Sequence, residues 1–92
     1  MGQGSQQYFI ESAQGFAVIT PSDTVNFSFT LGGQTKLITR GIYVGTTGNV
    51  VAVDQDNNAI TFIAVPAGAL LPICAKRVNS TNTTASNLVA LI

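Results

Sequence analysis

Apolar residues in this chain never hold the three- and four-residue spacing of a helix for more than about two turns before Gly, Pro or a β-branched cluster intervenes. Short strand-like runs take the place of helices. Residues 37–44 are rich in β-branched and aromatic side chains, and Gly45-Thr46-Thr47-Gly48 supplies a tight reversal into a second run at 49–54. Gln55-Asp56-Asn57-Asn58 is a turn sequence, and 59–65 returns as a strand, so a second hairpin is expected in meander order. Pro66-Ala67-Gly68 breaks the ladder, and 69–78 reads as another strand, with Pro72 confined to an edge, a bulge or the strand's start. A polar loop at 79–84 precedes a last strand at 85–92.

Upstream, 16–20 reads as a strand stopped by Pro21-Ser22-Asp23, and 25–31 alternates strictly, with Val25, Phe27, Phe29 and Leu31 on one face. No insert is long enough for a helical crossover between parallel strands. The expected fold is therefore all-β, a small antiparallel β-sandwich or barrel of six to seven short strands. Residues 1–14 are expected to be a flexible N-terminal arm that orders on a partner, and residues 15–92 a single β-domain. In the 59–65 run, Ile60, Phe62 and Ala64 point one way and Ile63 and Val65 the other, so both faces need cover. A neighbouring subunit or the chain's own N-terminal segment could supply it.

A domain of 92 residues removes only about 60–65% of its accessible surface on folding, so its margin of stability is thin. Disulfides and zinc do not widen that margin here, because Cys74 is the lone cysteine and there is no histidine. Charged residues make up 9% of the chain and hydrophobic ones 46%, with no net charge to keep copies apart. An assembly subunit is the expectation. The balanced charge argues against nucleic acid as a partner, since phosphate binding needs clustered Lys and Arg. No stretch approaches the roughly 18 apolar residues of a membrane span, and the N-terminus lacks the basic and apolar parts of a signal peptide. Synthesis in a cytoplasm is therefore expected.

The inventory for chemistry is thin. Without histidine, Ser-His-Asp and Cys-His arrangements cannot be built. Asp54 and Asp56 flank a turn, where Asp is favoured for local backbone hydrogen bonds. The run Asp54-Gln55-Asp56-Asn57-Asn58 imitates the start of a calcium loop, but Ala59 stands where the sharp turn needs Gly and Val65 where a bidentate Glu is needed. The glycines at 41, 45 and 48 lack the trailing Lys of a phosphate loop and read as turn glycines. Cys74, beside Ile73 and Ala75, reads as a small buried hydrophobe. No enzyme, cofactor or metal is expected.

Several short motifs occur in order: Thr20-Pro21-Ser22-Asp23-Thr24, Thr39-Arg40-Gly41-Ile42-Tyr43-Val44-Gly45, Gly48-Asn49-Val50, Ile60-Thr61-Phe62, Val65-Pro66-Ala67-Gly68 and Leu71-Pro72-Ile73. Lys76-Arg77-Val78-Asn79-Ser80-Thr81 and Thr83-Thr84-Ala85-Ser86-Asn87-Leu88-Val89-Ala90-Leu91 complete the series. In this order the chain resembles small phage and prophage head proteins typified by the spike base protein of the bacterial gene transfer agent. The resemblance implies a β-domain that oligomerises on a capsid, the spike base sitting at five-fold vertices and carrying a fibre. The run from Val25 to Leu31 is longer and more aromatic than the family's brief linker, and an inserted hairpin there could move the domain to another capsid axis.

The function expected is that of a non-enzymatic virion head protein, a spike base or a cement or decoration protein on the capsid surface. Its partners would be the major capsid protein, further copies of itself as a trimer or pentamer, and a spike fibre protein. The interface residues expected are Val25, Phe27, Phe29, Leu31, Ile60, Phe62, Leu88, Leu91 and Ile92. The alternative is a particle-displayed carbohydrate- or receptor-binding module using the loops at 79–84 and 55–58. Neither loop contains an aromatic residue, which a sugar site usually offers.

Overall fold

The computed structural model describes residues 13–92, so the expected arm lies almost wholly outside the described residues. Every regular element within them is a strand: β1 (Phe16–Val18), β2 (Phe29–Leu31), β3 (Gln34–Lys36), β4 (Gly41–Thr46), β5 (Gly48–Val53), β6 (Ala59–Val65), β7 (Leu70–Leu71), β8 (Arg77–Val78) and β9 (Ser86–Leu91). All pairings are antiparallel. They build a four-stranded sheet in the order β1-β9-β4-β7, a three-stranded sheet β6-β5-β8 and a separate β2-β3 hairpin. Ile42, Val44, Leu88 and Ala90 of the first sheet share one core with Val50, Ala52, Val65 and Val78 of the second. The all-β antiparallel expectation therefore holds, with the two larger sheets as layers over a common interior.

The hairpin expected at Gly45-Thr46-Thr47-Gly48 does not form. β4 pairs with β9 and β7, while β5 pairs with β6 and β8, so the chain changes sheet at Thr47. The flanking glycines serve close packing rather than reversal. A Cβ on Gly48 would lie 2.7 Å from the Ala85 Cα, and one on Gly45 would lie 2.7 Å from the Asn87 Cβ. Alternation and turn residues look alike at a hairpin and at such a corner, which is why sequence reasoning read one for the other.

The strand expected at 69–78 likewise divides between the layers, β7 pairing with β4 and β8 with β5. Pro72 sits at the break, where its missing N–H costs no ladder bond. In the crossing segment Ala75 takes the buried place and Cys74 is exposed, which corrects the expectation for that cysteine. Among the described residues the strand count rises to nine for this reason and because Gly32 and Gly33, at φ of 59° and 80°, close a two-residue β2-β3 turn that sequence reasoning missed. Two positive φ values in succession are what a type I′ turn requires, and Gly-Gly was the available signal.

A bulge also changes the faces of β6. Val50 pairs with Phe62 and Gly48 with Val65, so β6 carries one residue more than β5 across this interval. Ala64 absorbs the irregularity at φ 55°, and its N–H donates to Asn49 Oδ1 at 2.8 Å. Val65 consequently turns into the core with Phe62 packed against it, and Ile63 is left exposed.

Candidate assembly surface

Register across the four-stranded sheet places Ala17, Ala90, Ile42 and Leu71 in one row and Val18, Val89, Tyr43 and Leu70 in the next. Successive rows face opposite sides of a pleated sheet. Ile42 and Ala90 face the core. Val18, Val89, Tyr43 and Leu70 therefore face outward, together with Phe16 and Leu91, which lie opposite each other two positions along. Exposure agrees: Phe16 76%, Val18 79%, Leu70 55% and Tyr43 41%. The two rows contain no ionisable group other than the Tyr43 phenol. Gly41 lies between Leu91 and Leu70, and a Cβ there would be 3.6 Å and 3.5 Å from their methyl groups, so the face is continuous across the strands.

A contiguous apolar sheet face with no charge is unusual on a soluble chain and makes this face the candidate contact surface. A second apolar strip lies on β6, an edge strand of seven residues with no charge, where Ile60 and Ile63 are exposed. Such an edge presents unpaired backbone donors and acceptors to any neighbouring strand.

The residues expected at the interface divide between these surfaces and the interior. Phe27, Leu88 and Ile92 are buried in the chain's own core, and Phe29, Leu31 and Phe62 pack against it. Their apolar area is therefore already occupied, wholly or in part, within the chain. Phe27 and Phe29 meet ring to ring, with centroids 5.0 Å apart. Leu31 reaches over Gly15, where a Cβ would lie 2.8 Å from its Cδ1. Val25 is exposed, because 21–28 is not a strand and Ser22 Oγ holds a turn by accepting from Thr24 N and Val25 N. Ile60 is exposed on β6, and Leu91 is half-buried on the outer face. Sequence reasoning did not single out Phe16, Val18, Tyr43 and Leu70; their signal was the apolar second face of 16–20, 37–44 and 69–78.

In the two loops considered for ligand binding, several polar groups are engaged within the chain. Thr83 Oγ1 accepts from Val51 N at 3.0 Å and Thr84 Oγ1 from Asn49 N at 2.8 Å, continuing the edge of β5. Asp23 accepts from the Thr81 hydroxyl at 2.5 Å and from its N–H at 2.9 Å, and the hydroxyl bond above all holds its carboxyl below the usual carboxylate range. Asp54 Oδ1 accepts from Asn58 N at 2.9 Å and Asp56 N at 2.8 Å, and Asn58 foremost keeps that carboxyl low as well. Lys76 Nζ donates to Asn57 Oδ1 beside an open groove of about 470 Å³ lined by Phe27, Leu37 and Ile38. Among the described residues no three His, Cys, Asp or Glu side chains converge as metal ligands would.

No protein-family model and no curated protein matches the chain. Among solved structures, a chain of the capsid of a native GTA (gene transfer agent) particle, computed with C5 symmetry, is similar at 30% identity and a TM-score of 0.71. The match covers 87% of this chain and 83% of that one. This chain belongs to the family of that capsid component. The relationship makes it a head-related protein of the phage and gene transfer agent kind. The resemblance read from ordered motifs and the likeness of folds thus lead to the same class of particle.

Proposed function

We propose that this chain is a non-enzymatic structural protein of a tailed-phage-like head, acting on the capsid surface as a spike base or as a cement or decoration protein. The observation that carries the reading is the uncharged outer face of the β1-β9-β4-β7 sheet in a relative of a capsid chain. Its partners are the major capsid protein, further copies of itself as a trimer or pentamer, and, for a spike base, a fibre protein. Its mechanism is non-covalent: apolar faces and strand edges exclude water when joined, at about 25 cal/mol for each Å² of apolar surface removed. Binding only the assembled shell, it stabilises the shell by linkage. It is made in the bacterial host cytoplasm and ends in the virion.

Particles stripped of the chain and then given it back provide the test. Re-addition should return the chain to the particle fraction on sedimentation and raise the temperature at which the shell opens. Failure to co-sediment overturns the virion role, while binding without a shift in opening temperature favours a spike base over a cement protein.

A further inference from the structure

The β2-β3 hairpin stops pairing sooner than its register requires. Bonded pairs recur at every second residue of an antiparallel ladder, so after Leu31 with Gln34 and Phe29 with Lys36 the next would be Phe27 with Ile38. That pair is not made. The Phe27 N–H donates instead to Lys76 O at 2.8 Å and the Thr39 N–H to Ala75 O at 3.0 Å, so the arms of the hairpin part around the crossing segment. Among the described residues, the backbone N–H and C=O groups of Leu37 and Ile38 join no hydrogen bond.

Where the arms part lies the open groove of about 470 Å³. It is lined by buried Phe27, half-buried Ile38 and Leu37, which is 59% exposed, with Asn26, Gln55 and Lys76 completing it. Ile38 also lines a neighbouring groove of about 360 Å³, together with Lys36 and Arg40. Three of the chain's four cations therefore line the two grooves, and among the described residues neither is lined by Asp or Glu. Lys76 Nζ donates to Asn57 Oδ1, which leaves an ammonium with donors to spare. Asp54 lies within the field of that ammonium but spends Oδ1 on the N–H groups of Asp56 and Asn58 and Oδ2 on the Asn58 amide.

We propose that this groove holds an extended segment of a partner protein in which an aliphatic side chain is flanked by carboxylates. The segment's backbone takes up the interrupted ladder at Leu37 and Ile38, its aliphatic side chain covers Leu37, and a carboxylate meets Lys76. A polypeptide suits the groove better than a small anion because the open backbone groups include acceptors as well as donors. Acid suits it better than base because the lining charges are all positive. None of the lining residues belongs to the outer face of the four-stranded sheet, so this contact is additional to the one proposed there and does not rest on it.

The probe is the blocked peptide acetyl-Glu-Leu-Glu-Leu-Glu-amide, titrated into the full-length, isotope-labelled chain while amide resonances are followed. Shifts should centre on Leu37, Ile38 and Thr39. A peptide with Gln in place of each Glu should bind about threefold more weakly, and Lys76→Gln should remove that difference. Leu37→Ser, at an exposed position, should weaken binding about fivefold without moving the urea midpoint. No shift at these amides, or equal binding of a peptide with Lys in place of each Glu, overturns the proposal. The same shifts from sodium acetate at matched carboxylate concentration would reduce the groove to a simple anion site and overturn it too. Shifts that appear on concentrating the chain alone would assign the groove to a second copy, against the proposal. Since no capsid is present, the virion role is left to the sedimentation experiment.

Discussion

Thr39 and Ala75 are joined twice: the Thr39 N–H donates to Ala75 O at 3.0 Å, and the Ala75 N–H donates to Thr39 Oγ1 at 3.0 Å. The same hydroxyl donates to Ile73 O at 2.8 Å, and Thr39 is the chain's one fully buried polar side chain among the described residues. Together these bonds fasten the segment that crosses between the layers, where no sheet ladder is available. Removing the hydroxyl leaves a buried N–H and a carbonyl without that partner. Thr39→Val, nearly the same shape, is expected to destabilise by about 1–3 kcal/mol, read from urea unfolding midpoints. A change within error would show that the crossing segment is held by packing alone.

Ala64 provides a test of the β6 bulge. At φ 55° its side chain sits in the left-handed region, which costs an L residue about 1–2 kcal/mol. Ala64→Gly relieves that cost while adding chain entropy, so stability should stay level or rise by up to about 1 kcal/mol. Ala52→Gly, in the core and in a regular strand, should lower stability by about 1 kcal/mol or more in the same urea experiment.

These two sites show where the sequence was legible and where it was not. The absence of helical spacing and the β5-β6 hairpin, closed by Asp54 and Asn58, follow from side-chain chemistry acting over a few residues. The sheet change at Thr47 does not, because Gly45 and Gly48 are selected by the approach of Asn87 and Ala85, which are distant in sequence. The bulge at Ala64 depends on the Asn49 amide, fifteen residues away. For the candidate surface, the excess of apolar over charged residues led to the expectation of a contact face. Which residues stand outward depended on which side of each strand met the other layer. Phe27, Leu88 and Ile92 consequently lie in the core, and Phe16, Val18 and Tyr43 do not.

Val18 tests the outer face without disturbing the core, since its side chain is almost fully solvated. Val18→Lys should change folding stability by no more than about 0.5 kcal/mol. On the particle, however, it would bury an unpaired charge, so affinity should fall about tenfold or more. Ile63→Lys, on the β6 edge, serves as the comparison. Equal losses would mean that both surfaces touch partners, and a loss for Ile63→Lys alone would move the contact from the sheet face to the edge.

Acid should loosen the two locked turns. Both Asp23 and Asp54 have lowered carboxyl pKa values in the folded chain, through Thr81 and Asn58 respectively. A depressed carboxylate stabilises the fold at any pH above its unfolded value and loses that contribution as pH falls through its folded one. Urea midpoints should therefore hold level from pH 7 to about pH 5 and decline below about pH 4. Asp54→Ala should show a shallower decline, because one of the two contributions is already missing. An unchanged slope would mean that the Asn58 bonds persist with the neutral acid.

The most direct measurement is a reconstruction of the parent particle at a resolution that traces side chains. The expected result is density for the chain on the outside of the shell, with Val18, Tyr43 and Leu70 against capsid protein or another copy. Particles without the chain, or a chain in place with that sheet face open to solvent, would contradict it.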